Sequence, residues 1–353
     1  MTALVSLMTQ FENLGDEVIN AVLARELAGR MKLVALTRGV PDWYLSNMKD
    51  HLGAIDCNVE YYTDSAAFIR KSLSVSFGGG RNWLFTSCGD VSASRSNYKR
   101  DGSFAALQYL PSLRLASVGA SYSRISTSKA WLLRLASRRG KAISVRDTRS
   151  QDLLAANGVE VKLVPDLAFK LPWVKSPSER RRALFTFREI AGQNAAYFAG
   201  KLRNIVRILS DAGISSVMTW QVGRDEAYCR SLATELGIRL EPASEGRNRF
   251  RKTCDFYDGA DIIFSNRLHA LLIAASRGAV PVAVLHAEER KIRGIFEDNG
   301  MDLYLMPSEG EGHGRLPEVL QTLPRHCDVV KTVFSNSSAS IDAYFDDLAG
   351  AGK

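Results

Sequence analysis

Along most of the chain, short β-branched or apolar runs alternate with stretches whose apolar residues recur at helical spacing, the pattern of βαβ units around parallel sheets. The first run is Ala3–Met8. Past the loop Asn13-Leu-Gly-Asp16, residues Ile19, Val22, Leu23 and Leu27 fall on one face of a helix. Further strands are expected at Lys32–Leu36, Val59–Tyr62, Ser74–Phe77, Leu113–Val118, Ala142–Val145 and Val161–Val164. Helices are expected around Ala66–Lys71, Ser128–Arg138 and Ser150–Asn157.

A polar, proline-bearing, basic stretch at 175–182 reads as a connection between domains. A second α/β series follows, with strands at Ala183–Phe187, Ser216–Trp220, Arg239–Glu241, Ile262–Ser265, Val280–Leu285 and Leu303–Met306. Its helices are expected near Asn194–Asp211, Glu226–Leu236, Leu268–Ser276 and Lys291–Asn299, with a closing helix over Val330–Leu348. The expected fold class is α/β, two Rossmann-like domains facing a cleft, spanning 1–174 and 175–353. A length of 353 residues agrees with about 150 residues per domain.

Composition narrows the class only slightly. A hydrophobic fraction of 46% and a charged fraction of 24% suit a packed globular chain. No apolar run approaches the roughly 20 residues that span a bilayer, and the first residues lack a signal-peptide pattern, so a cytoplasmic protein is expected. Five cysteines stand without C-x-x-C or Cys/His spacing, and neither a metal site nor a cofactor is expected. The net charge of +8 suits an anionic partner. No nucleic-acid module accompanies the basic clusters, so nucleic acid is not expected, whereas loose peripheral attachment to an anionic membrane is.

Several polar groups fall at strand ends, where open α/β sheets bind ligands. Asn13, Gly15 and Asp16 lie between the first strand and its helix; Asn13 or Asp16 could equally cap that helix. Gly78, Gly79 and Gly80 follow the expected strand Ser74–Phe77, so their amides could face an anion or sugar, or could form a flexible turn. Arg146, between a strand and a helix, can grip a phosphate or carboxylate, or pair with Asp147. Asp166 ends another strand and could be a turn residue.

The sharpest local signal is Ile262-Ile-Phe-Ser-Asn-Arg-Leu-His269. Two positions apart, Arg267 and His269 would diverge by about 200° on an established helix, so both serve one site only if at least one lies in the loop or first turn. A surface arginine and a core histidine are the alternative. The repeat of Asp255, Asp258 and Asp261 reads as a solvated helix face.

In order, Asn13-Leu-Gly-Asp-Glu17, the triple glycine, Ser144-Val-Arg-Asp147 with Ser150, Val164-Pro-Asp166, and Ser265-Asn-Arg-Leu-His269 followed by Gly278-Ala-Val-Pro281 and Lys291 resemble the polysaccharide pyruvyl transferase pattern over about residues 9 to 300. The resemblance implies a fold similar to GT-B glycosyltransferases, with phosphoenolpyruvate as co-substrate and a saccharide acceptor that is often lipid-linked. It implies transfer of a pyruvyl group to form a cyclic ketal. By position, Arg146, Arg267 and Lys291 are expected to bind the donor. His269 is the expected general acid or base, with Asp16 as a second catalytic group, and Asn13, Gly15, Gly79 and Gly80 are expected around the acceptor. The domain 1–174 is then the acceptor side and 175–353 the donor side. A glycosyltransferase using a nucleotide sugar and a non-catalytic carbohydrate-binding protein are the competing readings.

Overall fold

A computed structural model describes residues 1–85, 89–91, 112–140, 142–175, 181–309 and 315–350. The connection at 175–182 and the basic run at 138–141 lie partly outside these residues, and Cys88 and His313 lie wholly outside them. The chain forms two compact units, one of residues 1–11, 16–167 and 338–353, the other of residues 12–15 and 168–337. A single cut at 174/175 would divide the chain differently, because the first unit takes back the last part of the C-terminal helix.

The first unit is built on a parallel sheet. Its strands are β1 (Thr2–Ser6), β2 (Lys32–Leu36), β3 (Val59–Tyr62), β4 (Asn82–Phe85), β5 (Gly89–Val91), β6 (Leu113–Tyr122), β7 (Ile143–Val145) and β8 (Lys162–Leu163). The order is β3-β2-β1-β4-β6-β7-β8, with β5 also paired to β6. Its helices are α1 (Leu14–Ala28), α2 (Asp42–Leu52), α3 (Ser65–Phe77), α4 (Thr127–Gly140) and α5 (Thr148–Ala156). Phe68 of α3, Leu133 and Ala136 of α4 and Leu154 of α5 join Leu4, Leu84, Leu115 and Ile143 in one apolar core, so these three helices cover one face.

The second unit carries β9 (Arg182–Thr186), β10 (Ser215–Met218), β11 (Arg239–Leu240), β12 (Ile262–Ser265), β13 (Val280–Leu285) and β14 (Leu305–Pro307), all parallel in the order β11-β10-β9-β12-β13-β14. Its helices are α6 (Ala195–Asp211), α7 (Glu226–Leu236), α8 (Arg249–Tyr257), α9 (Leu268–Ser276), α10 (Lys291–Asp298) and α11 (Leu316–Gln321). Phe185 and Phe264 stack across β9 and β12 with centroids 5.0 Å apart. Helix α9 is apolar nearly all round because it is buried nearly all round.

The final helix, α12 (Leu323–Gly350), serves both cores. It runs through the polar Ser335–Ser340 stretch, where Ser335 Oγ donates to Lys331 O at 3.1 Å and Ser337 Oγ to Asn299 Oδ1 at 2.9 Å. In the second unit Phe334 meets Phe169 edge-on at 5.0 Å. In the first, Ile341, Tyr344, Phe345 and Leu348 are buried.

One expected strand is absent. Ser74–Phe77 is the last turn of α3, whose first turn is capped by Asp64 accepting from Ala67 N at 2.8 Å. The alternation Ser-Val-Ser imitated a strand, but Gly78 N closes the helix on Ser74 O at 3.0 Å. The triple glycine therefore leads into β4 at the amino edge of the first sheet, whereas the loop after β1 leaves the carboxyl edge. Sequence periodicity also missed α2, β4, β5, α8 and α11.

Tyr344 OH reaches Ala142 O at 2.7 Å and Ser117 O at 3.2 Å. Each carbonyl has another donor, Ser117 N for Ala142 O and Ser144 Oγ for Ser117 O, so losing the hydroxyl strands neither. Tyr344→Phe should therefore cost only about 1 kcal/mol in urea unfolding, whereas Ile341→Ala, which empties core volume, should cost roughly 2 to 5. Equal losses would contradict this accounting.

Candidate functional site at the carboxyl edge of the second sheet

Strand β12 ends in a turn tied to its neighbour β9 by side chains. Ser265 Oγ donates to Thr186 O at 2.6 Å and accepts from Arg267 N at 2.9 Å. The Asn266 amide accepts from Arg188 N and donates to Arg188 O, both at 2.8 Å. This holds Arg267 extended, at φ −114° and ψ 115°, just outside α9. His269 lies in the first turn of that helix, so the two side chains are freed from the divergence a regular helix would impose.

The Arg267 guanidinium is oriented by a carboxylate that sequence reasoning missed. Nη2 donates to Asp225 Oδ1 at 2.6 Å, and Nε stands 2.5 Å from Oδ2. Asp225 is buried at the start of α7, 42 residues away in sequence. With Nε and Nη2 facing this carboxylate, Nη1 is the nitrogen on the remaining edge. Trp220 and Gln221, which leave β10 at the same sheet edge, are buried, and Trp220 Nε1 and Gln221 Nε2 have no hydrogen-bond partner among the described residues. Buried donors of this kind are costly unless an acceptor arrives.

His269 is overlain by the segment 12–15. A methyl group added to Gly15 would lie 2.0 Å from His269 Nδ1 and 2.4 Å from Cγ, so only glycine fits against the ring. Asn13 Oδ1 accepts from Gly15 N at 3.0 Å, and the buried Arg249 donates from Nη1 to Glu12 O at 3.2 Å. Gly15 thus answers to packing on the imidazole, and Asn13 to the conformation of its own loop.

Lys291 opens α10, where the Glu289 carboxylate accepts from Lys291 N at 3.1 Å and takes Arg188 Nη2 at 2.7 Å. Cys229 donates to Phe187 O at 3.2 Å and burial pushes its thiol up to about 12, which excludes a thiolate nucleophile at neutral pH.

The first unit holds the other expected residues. Arg146 is 1% exposed: Nε donates to Ser121 Oγ at 2.8 Å, Nη1 pairs with Asp166, and Nη2 has no partner among the described residues. Asp147 caps α5 through Ser150 N at 2.8 Å and takes Ser121 Oγ at 2.6 Å, so Arg146 pairs with Asp166 rather than with its neighbour. Asp16 Oδ2 accepts from Thr9 Oγ1 at 2.8 Å. Gly79 and Gly80, at φ 79° and 78°, form the turn before β4 at the opposite sheet edge from Asp16. Among the described residues no group of three His, Cys, Asp or Glu is arranged to hold a metal ion.

The profile of the polysaccharide pyruvyl transferase family matches residues 13–286, which takes in the segment over His269, the Arg146 region and the turn 265–269. No match was found among curated proteins. Among solved structures, HepE from Anabaena in complex with UDP-glucose is similar at 12% identity and a TM-score of 0.58, covering 99% of each chain. UDP-GlcNAc 2-epimerase from Neisseria meningitidis bound to UDP-GlcNAc aligns at 12% identity and 0.57, over 98% of this chain and 99% of that one. MnaA from S. aureus with UDP aligns at 11% and 0.55, over 99% and 94%. The fold is GT-B-like, with two Rossmann-like domains.

Breaking a buried ion pair on one side leaves an uncompensated charge, at a cost of roughly 3 to 5 kcal/mol. Asp225→Ala should therefore lower the urea midpoint more than the double replacement Asp225→Leu with Arg267→Met. If the double variant is the less stable, the two charges are not mutually dependent.

Proposed function

This chain belongs to the polysaccharide pyruvyl transferase family and carries out phosphoenolpyruvate-dependent transfer of a pyruvyl group to a saccharide; from that premise we propose that the product is a cyclic pyruvate ketal and that Arg267 and His269 are its donor-side residues. The observation that carries this reading is their pairing at the exit of β12, one outside the helix and one in its first turn, within the matched region.

The chemistry requires a proton on the methylene carbon of phosphoenolpyruvate and a sugar oxygen on the adjacent carbon. His269 gives the proton, the double-bond electrons form the new C–H bond, and the electron-poor carbon takes the hydroxyl oxygen. The hydroxyl proton returns to His269. Phosphate then leaves with the C–O bonding pair, and a second hydroxyl of the same sugar attacks that carbon to close the ketal, losing its own proton. Nη1 of Arg267, held in plane by Asp225, binds a phosphate or carboxylate oxygen of the donor, with Lys291 as a further cation on the same unit. Arg146, closed in with Asp166, we assign to holding the β7–α5 turn. The second unit is the donor side and the first the acceptor side, with Asp16 as the acceptor-side carboxylate.

No helix among the described residues is long and apolar enough to cross a membrane. With a formal charge of +8, we propose salt-sensitive attachment to an anionic membrane carrying a lipid-linked acceptor, with no role for nucleic acid.

A positioned general acid contributes about 10² to 10⁴ in rate, so His269→Gln should reduce phosphate release from phosphoenolpyruvate by that order while donor affinity changes only several-fold. Arg267→Ala should weaken donor binding about ten- to a hundredfold, since a charge-assisted hydrogen bond contributes roughly 1.5 to 3 kcal/mol. A wild-type protein that consumes a nucleotide sugar but releases no phosphate from phosphoenolpyruvate would replace this reading with a glycosyltransferase.

A further inference from the structure

Phosphoenolpyruvate carries two anionic groups, a phosphate at one end and a carboxylate at the other. Arg267 turns Nε and Nη2 to Asp225, which leaves it Nη1 for one of them. Arg146 is closed inside the first unit at 1% exposure. The donor side therefore needs a second grip, and a second arginine stands at the same sheet edge.

Arg188 follows β9, the strand paired with β12, and Asn266 holds its backbone at both N and O, each at 2.8 Å. Its main chain is thus fixed beside the residue that precedes Arg267. Its side chain ends at Glu289, in the turn after β13, where Nη2 donates to Oε2 at 2.7 Å. The other oxygen of that carboxylate accepts from Lys291 N at 3.1 Å and from Ile292 N at 3.4 Å. In the strand order β9-β12-β13 the side chain reaches across the exit of β12, from which Arg267 and His269 come. One arginine therefore links the turn that presents Arg267 to the turn that opens the helix of Lys291. The Arg188 side chain is 43% exposed against 12% for Glu289. Its Nε is buried without a partner among the described residues and Nη2 is taken by Glu289, so Nη1 is the nitrogen left to meet a ligand. An ordinary exposed ion pair contributes little and asks for no such fixing, whereas here the backbone is held by an amide 1% exposed and the carboxylate by two helix N–H groups.

We propose that Arg188 is a donor-binding residue, taking one anionic group of phosphoenolpyruvate while Arg267 takes the other. Both guanidinium groups are oriented by a carboxylate, and each keeps Nη1 outside that pairing. A ligand gripped at one end can turn about that contact, but one gripped at both ends presents its methylene carbon in a single direction, which is what proton delivery by His269 requires. Arg188 makes no covalent bond and moves no proton. The inference rests on the reading that Arg267 binds the donor, and it names the second contact which that reading leaves open.

The test is calorimetric titration of the full chain with phosphoenolpyruvate, beside thermal unfolding without ligand. Arg188→Ala should weaken binding about ten- to a hundredfold, the loss of one charge-assisted contact. Arg188→Lys should fall between that variant and wild type, because an ammonium keeps the charge without the planar fork. Glu289 still has Lys291 N and Ile292 N in the alanine variant, so its thermal midpoint should stay close to that of wild type. Arg203→Ala, which removes a charge from an exposed pair with Glu235 elsewhere on this unit, should bind as wild type does. Titrations with inorganic phosphate and with pyruvate assign the end: the anion whose affinity Arg188→Ala lowers is the one this residue holds. An alanine variant that binds phosphoenolpyruvate like wild type overturns the proposal. A lysine variant as weak as the alanine one, with an equally lowered midpoint, makes Arg188 a structural tie between β9 and α10 and also overturns it. Equal losses in Arg188→Ala and Arg203→Ala reduce the effect to net charge, with the same consequence. A wild type that binds no phosphoenolpyruvate refutes the donor reading itself, whereas normal binding by both wild type and Arg188→Ala refutes the role of Arg188 alone.

Discussion

The turn at the end of β12 depends on one amide. Where parallel strands end, their last backbone groups lose the ladder that satisfied them, and a buried unpaired N–H or C=O is expensive. Asn266, 1% exposed, answers both at the exit of β9, accepting from Arg188 N and donating to Arg188 O. Only a group with a donor and an acceptor in one plane can do this; a carboxylate would face the carbonyl with nothing to give. Because this pair fixes the turn, Arg267 stays extended and α9 starts at Leu268, and Arg267 and His269 can be presented from the same sheet edge. Ser265 adds the same double use of a hydroxyl one residue earlier.

The two arginines that resembled family residues illustrate how burial divides roles. The Arg146 side chain is 0% exposed beside an equally closed Asp166, and through Ser121 it is linked to Asp147 and the start of α5. Arg267, at 10%, turns Nε and Nη2 to Asp225, so Nη1 lies on the remaining edge of its guanidinium. Both are paired, and in each one nitrogen stands outside the pairing: Nη2 of Arg146, which has no partner among the described residues, and Nη1 of Arg267.

Much of the architecture was legible because central parallel strands are buried on both faces and read as continuous apolar runs, as in Ile262–Ser265 and Val280–Leu285. The turn 265–269 was legible for the same reason: a strand ended there and polar residues began. Asp225 was not, because its only signal is a contact across 42 residues with no local pattern. The packing of Gly15 on His269 was not legible, since a sequence cannot display the ring that excludes a methyl group. Ser74–Phe77 misled because serines facing a sheet break the hydrophobic period that normally reveals a helix, and with that strand went the carboxyl-edge position of the triple glycine.

Helix α12 ties the order of synthesis to the order of folding. The first unit closes its core with Ile341, Tyr344, Phe345 and Leu348, and Arg30 binds Asp342 and Asp346 of the same stretch. A ribosome makes these residues only after all of 168–337, so the usual course in which an N-terminal domain finishes folding while the rest is still being translated is closed to this chain. Until then the apolar surface that will receive Ile341, Tyr344, Phe345 and Leu348 stays uncovered on the nascent first unit.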